Sequence, residues 1–88
     1  MKQAILIYET DPWHSTKSHS LVGIATTEIK RDKLIRRYLR DELYDKPSRE
    51  TLRRAMEQIQ EIGQTQCLSE ECDIEIDTEK VELNTIYR

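Results

Sequence analysis

The sequence predicts an α+β fold, a small two-layer sandwich with the element order β-β-α-α-β. Three observations predict it: a short apolar run at residues 3–8, an alternating run at residues 21–26, and two segments of helical periodicity before Gly63. A last alternating segment completes a three-stranded sheet, with the two helices on one face. At 88 residues the chain is expected to form a single domain, 1–88, with a small core.

The first two strands are expected to pair as an antiparallel hairpin. The first strand, residues 3–8, is apolar at three successive positions, Ile5, Leu6 and Ile7. Burial on both faces is typical of a strand in the middle of a sheet, so the first strand is placed there. The second strand, residues 21–26, would then lie beside it.

The last strand changes its apolar parity along its length. Ile74 and Ile76 fall on one face of an extended chain, whereas Val81 falls on the other. This change predicts a β-bulge or a tight turn near residues 77–80. The many acidic residues of the segment favour an edge position in the sheet.

The first helix is predicted to begin after Thr26 or Thr27, either of which can cap it, and to run to about Leu43. At helical spacing, one arc is apolar and holds Leu34, Ile35, Tyr38, Leu39 and Leu43. The opposite arc is basic and holds Lys30, Lys33, Arg36, Arg37 and Arg40. Glu42 falls in the middle of the apolar arc and does not fit the pattern.

The second helix is predicted to begin after Ser48, a good capping residue, and to end at Gly63. Its apolar residues repeat at helical spacing: Leu52, Ala55, Met56, Ile59 and Ile62. The two helices therefore form a helical hairpin that turns an apolar side to the sheet.

Charge is segregated along the chain, although the net charge is only −3. Residues 30–54 hold ten basic and five acidic side chains, whereas residues 57–82 hold one basic and nine acidic ones. Segregation of this kind can steer a charged partner. The basic arc therefore carries a nucleic-acid hypothesis that uses Lys33, Arg36, Arg37 and Arg40, with Arg49, Arg53 and Arg54 as an extension. A solvated helix face with no ligand is the structural alternative.

A dense polar and aromatic cluster follows the first strand, and it contains the only Trp of the chain. Loops held by a rigid scaffold concentrate binding groups, so this loop is the leading candidate site for a protein partner. The residues assigned to it are Glu9, Asp11, Trp13, His14 and Ser15. In the structural alternative, Trp13 seals the end of the core and the polar residues satisfy loop amides.

Enzymatic and metal-dependent functions are not expected. His14 has carboxylates and serines nearby, but the sequence offers no sharp glycine turn for a nucleophile and no evident oxyanion hole. His14, His19, Cys67 and Cys72 could in principle form a zinc site, yet the cysteines lack the spacing typical of zinc knuckles. We therefore expect a non-enzymatic protein without metal or cofactor.

The chain is expected to be cytoplasmic and free of membrane contacts. No apolar run approaches the roughly 18 residues that a membrane span requires. The N-terminal apolar run reaches acidic residues too soon for a signal peptide. Two cysteines are too few for a disulfide scaffold, which agrees with a reducing compartment.

The runs YETDPWHS, LVGIATT and VELNT, joined by a basic helix and a later QTQ, resemble a group of small uncharacterised proteins from the accessory genomes of gut bacteria. His19 and the two cysteines are not part of that pattern, which argues further against zinc. The resemblance implies no defined activity, because the group has no established function. Its setting in mobile elements favours a small regulator, or a modulator of host defence or element transfer.

Two hypotheses follow from the sequence. The first is a non-enzymatic protein-interaction or regulatory module that binds an unknown protein partner through the Trp13 loop and forms a homodimer through its last strand. The second is a nucleic-acid-binding accessory protein that uses the basic face of residues 30–40.

Overall fold

A computed structural model describes residues 3–12, 19–43 and 45–82 of the chain. Its elements are β1 (Gln3–Thr10), β2 (Ser20–Ala25), α1 (Glu28–Arg37), a π-helical turn (Tyr38–Glu42), α2 (Arg49–Ile62), α3 (Ser69–Cys72) and β3 (Glu75–Glu82). The predicted α+β class and the order of the main elements are confirmed. The short helix α3, which lies between the second long helix and the last strand, was not predicted.

The three strands form one antiparallel sheet in the order β2-β1-β3. The first strand therefore lies in the centre and the acidic last strand at an edge, both as predicted. A register shift occurs between Ile7 and Tyr8, where β1 pairs with β2.

The predicted bulge in the last strand is wrong. The pairing of β3 with β1 runs without interruption from Thr10↔Glu75 to Gln3↔Glu82. Ile76 and Val81 are five residues apart in a regular strand, so they lie on opposite faces of the sheet. The change of apolar parity therefore reflects the use of both faces and not an extra residue.

The core lies between one face of the sheet and the helices. Ile7 of β1 and Ile76 of β3 pack in one cluster with buried residues of both long helices and of the segment that precedes α3: Ile35, Leu39, Ala55, Met56, Ile59, Cys67 and Leu68. Ile62 was predicted to join this stripe, but it is 56% exposed because it lies in the last turn of α2. This packing places both long helices on the same side of the sheet.

The helix ends follow the predicted capping residues. The Thr27 hydroxyl accepts a hydrogen bond from the Lys30 backbone N–H at 3.1 Å, and the Ser48 hydroxyl accepts one from the Thr51 N–H at 3.2 Å. Gly63 ends α2 with φ = 77°, in the left-handed region that favours glycine.

Glu71 supplies a second cap at the N-terminus of α2. Its carboxylate accepts hydrogen bonds from the Thr51 hydroxyl and, at 2.8 Å, from the Ser48 backbone N–H. The Thr51 hydroxyl, followed by the Ser48 N–H, lowers the pKa of Glu71 below its ordinary value. An acidic residue distant in sequence therefore stabilises the start of the second helix.

The π-helical turn explains why Glu42 did not fit the apolar arc. In a π-helix the hydrogen bonds run from i to i+5, so each turn holds more residues and each residue advances by less than 100°. Over Tyr38–Glu42 this smaller advance moves Glu42 toward the side of Leu34 and Tyr38, with which it lines a small depression beside the sheet, and Glu42 is exposed. Leu43 then follows in an extended conformation and packs against the core.

Glu75 is a buried carboxylate with three donors. Its oxygens accept hydrogen bonds from the Thr65 hydroxyl at 2.6 Å, from the Leu68 N–H at 3.3 Å and from the Ser69 N–H at 2.9 Å. The Thr65 hydroxyl in turn accepts a hydrogen bond from the Ile76 N–H at 2.9 Å. These hydrogen bonds satisfy backbone N–H groups at the start of α3 and link it to β3.

Residues 63–65 also run along the outer edge of β3. Thr78 donates its backbone N–H to the Gly63 carbonyl at 3.0 Å, and Thr65 donates to the Ile76 carbonyl at 2.9 Å. A homodimer through the last strand therefore stays a prediction, and it would have to use the part of that edge beyond Thr78. Among the described helices, none is both long enough and apolar enough to cross a bilayer.

Candidate functional site

The predicted partner-binding loop lies only partly within the described residues. Trp13, His14 and Ser15 lie outside them, so their assignment stays a prediction. Glu9 lies on the helix side of β1, where its carboxylate accepts a hydrogen bond from the Tyr38 hydroxyl at 2.9 Å. Burial, followed by this hydrogen bond, raises the pKa of Tyr38 to about 12. Asp11 is half-buried.

The far end of this loop is attached to the sheet through His19. Its ring stacks on Tyr8, with centroids 4.8 Å apart and planes inclined by 20°. Its Nε2 lies 2.8 Å from Oδ2 of Asp77, which is paired with Tyr8 across the sheet. At the end of the loop, His19 therefore contacts β1 through Tyr8 and β3 through Asp77.

Both cysteines are buried in the described structure and neither carries a disulfide. Burial is the main cause that raises the pKa of both thiols, that of Cys72 to about 11, and the thiol form is the one that binds metals poorly. Cys67 lies 3.9 Å from the Thr51 carbonyl, inside the helical layer. Residues 3–12, 19–43 and 45–82 contain no group of three His, Cys, Asp or Glu side chains arranged to hold a metal ion.

The basic arc of the first helix forms a concave surface. Lys33, Arg36, Arg37 and Arg40 are all exposed, and together with Leu34 they line a depression of about 330 Å³. Among the described residues, no acidic side chain lines it. The basic face that helical periodicity predicted is therefore present, with Leu34 as its one apolar neighbour among the described residues that line the depression.

A second depression, the α1–α2 groove, lies between the two long helices and has a volume of about 310 Å³. Three arginines line it, Arg36 from α1 with Arg49 and Arg53 from α2. The other described lining residues are two apolar ones, Leu52 and Met56, the acidic Glu57 and the polar Gln60. Sequence reasoning identified the arginines of α2 but not the groove, because the groove depends on how the two helices are placed against each other.

Arg36 lines both depressions and so joins them into one basic surface. We define the basic surface as Lys33, Arg36, Arg37, Arg40, Arg49 and Arg53. Arg54, the third predicted extension, lies on a different side of α2, where its charge acts on Cys67 and Glu71.

Most of the positive charge of the basic surface is not neutralised within the described part of the chain. Arg53 pairs with Glu57 at 2.8 Å and Arg40 lies 4.0 Å from Asp41, but all four side chains of these pairs are more than half exposed. Exposed ion pairs of this kind hold their partners weakly, by about 1 kcal/mol or less. The four other members, Lys33, Arg36, Arg37 and Arg49, form no ion pair with a described residue.

The described residues therefore present an exposed basic surface on a helical hairpin. Comparison of the chain with protein-family models, with curated proteins and with solved structures gave no match.

Proposed function

We propose that this chain is a small, non-enzymatic binding module whose ligand is nucleic acid, contacted through the basic surface. The observation that carries the proposal is the position of Arg36, which connects the positive face of α1 to the arginines of α2. Residues 33 and 40 are seven residues apart, about 10 Å along a helix. One strand of a duplex presents a phosphate about every 3.4 Å along its axis, so this row of cations can contact several phosphates at once.

The acidic residues in the last third of the chain should repel a polyanionic ligand less strongly than their number indicates. Glu75 is 1% exposed and Asp77 is 9% exposed, and both are hydrogen-bonded inside the fold. Glu71 is engaged at the N-terminus of α2. Three of the acidic residues therefore serve the packing of the fold, while the basic surface remains open to a ligand.

A salt titration tests this proposal. Binding of a fluorescent duplex oligonucleotide is measured by anisotropy between low and moderate salt. If four cations contact phosphates, log K against log salt has a slope of about −3.6, from the factor of about −0.9 per contact. Arg36→Glu should weaken binding by about tenfold or more and make the slope shallower by about 1.

The matched control is Lys80→Glu, which changes the net charge by the same amount. Lys80 lies on β3, outside both depressions, and pairs with Glu28 at 3.1 Å. At moderate salt this variant should bind within about twofold of the unmodified chain, because Lys80 lines neither depression and exposed charges that do not contact the ligand are then largely screened. Equal loss in both variants would show a net-charge effect and would contradict a defined surface.

The same assay separates this proposal from the protein-binding hypothesis of the Trp13 loop. Replacement of Trp13 and His14 together by Ala should leave oligonucleotide binding unchanged. The second arm is capture of proteins from a nuclease-treated lysate. A protein that binds the unmodified chain and Arg36→Glu, but not the Trp13/His14 variant, would show that the loop is the functional site and would contradict this proposal.

A further inference from the structure

The α1–α2 groove combines charge with an apolar floor. Met56 is buried at 4% exposure, and Leu52 is half-buried beside it. Arg36 of α1 lines one side of the groove, and Arg49 and Arg53 of α2 line the other. Its volume of about 310 Å³ lies within the range of about 300–1,000 Å³ that is typical of ligand pockets. A bare phosphate-tracking surface does not require an apolar floor.

We propose that the α1–α2 groove holds one unstacked nucleotide of a single-stranded nucleic acid, with the base on Leu52 and Met56 and its phosphates against the three arginines. This inference rests on the proposed function and specifies its substrate class. Bases in a duplex are stacked and paired, so a duplex cannot offer this groove the flat face of a base. A single strand offers a flat apolar face and a phosphate within one nucleotide, which matches the two parts of the groove.

The arginines supply more than charge to such a ligand. A guanidinium is planar, donates hydrogen bonds to two phosphate oxygens at once, and stacks on an aromatic ring. Arg49 and Arg53 are four residues apart on α2, so they lie one above the other on the same helix face, opposite Arg36. A nucleotide between the helices would therefore meet guanidinium groups from both walls.

The polar end of the groove favours a base over an acidic peptide. Glu57 is an acceptor, and its negative charge is offset by the ion pair with Arg53 at 2.8 Å. Gln60 donates its Nε2 to Asp32 at 3.3 Å, which leaves its carbonyl oxygen as the acceptor end of the amide. Amino and imino groups of bases donate hydrogen bonds to such acceptors, whereas the side chains of Asp and Glu at neutral pH do not.

The test compares three labelled oligonucleotides of equal length by anisotropy at one low salt concentration: a single strand of mixed sequence, its duplex, and a single strand of abasic residues. The full chain should bind the mixed single strand about tenfold more tightly than the abasic strand, which has the same phosphates. It should also prefer the mixed single strand to the duplex. An excess of poly-glutamate should compete less well than an unlabelled single strand of equal charge.

Two variants address the groove directly. Leu52→Ala reduces the apolar floor and should weaken binding of the mixed single strand by about threefold to tenfold, with no effect on the abasic strand. Gln60→Ala removes an acceptor from an exposed side chain and should weaken only the mixed single strand, so the test does not depend on the folding of the core variant. The control is Ile62→Ala, which truncates an exposed apolar residue of α2 outside the groove and should change nothing.

The possible failures are distinct. Equal binding of the mixed strand, the abasic strand and the duplex would overturn the nucleotide site and leave the proposed function intact, as would unchanged binding by Leu52→Ala and Gln60→Ala. Poly-glutamate that competes as well as the single strand would show a general anion surface and would also overturn the site. No binding to any oligonucleotide at low salt would refute the proposed function itself.

Discussion

Replacement of Thr65 by valine is expected to be among the most destabilising single changes in the described structure, although it preserves the shape of the side chain. Thr65 is fully buried, and its hydroxyl makes two hydrogen bonds, one to the Glu75 carboxylate at 2.6 Å and one from the Ile76 N–H at 2.9 Å. Loss of a hydrogen bond to a charged group costs about 1.5–3 kcal/mol, and a buried N–H without a partner costs about 1–3 kcal/mol. We expect a decrease in the free energy of unfolding of about 3 kcal/mol or more.

Urea unfolding followed by circular dichroism measures this change. A stability of roughly 4–13 kcal/mol is usual for a chain of this length, so the loss is a large fraction of the total. With a urea slope of about 1–1.5 kcal/mol per M, the midpoint should fall by about 2–3 M. Thr65→Ser is the matched control, because it keeps the hydroxyl and loses one methyl group, at a cost of about 1 kcal/mol.

Equal midpoints for the valine and serine variants would refute the reasoning, since the hydroxyl would then contribute nothing. A double-mutant cycle with Glu75→Gln adds a second criterion. The cost of Thr65→Val should be smaller in the background of the Glu75→Gln variant, because the acceptor there is neutral and its hydrogen bond is weaker.

Two further predictions concern the ends of α2. Gly63→Ala should cost about 1–2 kcal/mol, because φ is 77° and the new Cβ would meet a hydroxyl oxygen at 3.0 Å. Gly23→Ala is the control for urea unfolding, since its Cβ would meet only ordinary contacts at 3.6 Å and beyond. Glu71→Gln should lower the thermal midpoint at neutral pH. The pKa of Glu71 is lower in the folded state, so its contribution is complete above the ordinary value of 4.5 and is lost as pH falls through the folded value. The two melting curves should therefore converge at strongly acidic pH, and a constant separation at all pH values would contradict the carboxylate cap.

Local signals predicted the parts of the fold that depend on neighbouring residues. The caps at Thr27 and Ser48 and the stop at Gly63 are each recognised from a few residues of sequence. The apolar run of β1 likewise predicted its central position. These features were predictable because their physical cause lies within one or two turns of chain.

Features that depend on distant residues were not predicted. From the sequence, Glu75 is expected to be an exposed acidic residue of an edge strand. Its carboxylate is enclosed because residues 63–69 pass over it and donate hydrogen bonds to it. The α1–α2 groove was missed for the same reason, since periodicity assigns Arg36 and Arg49 to exposed faces without showing that both faces border one depression. The basic residues of the candidate site were therefore predictable, but the groove and its other lining residues were not.

The π-helical turn at Tyr38–Glu42 holds one residue more than an α-helical turn, and this determines how the helix tolerates a change in length. Deletion of one residue within the turn would allow ordinary α-helical hydrogen bonds to form, which are intrinsically the more favourable ones. Because the deletion removes only the extra residue of the wider turn, the side chains on either side would stay in register, and Leu43 would keep its place against the core. A homologous chain that lacks one residue here would thus keep the same apolar pattern on both sides of the turn, and length variation at this point should need no compensating substitutions in the core.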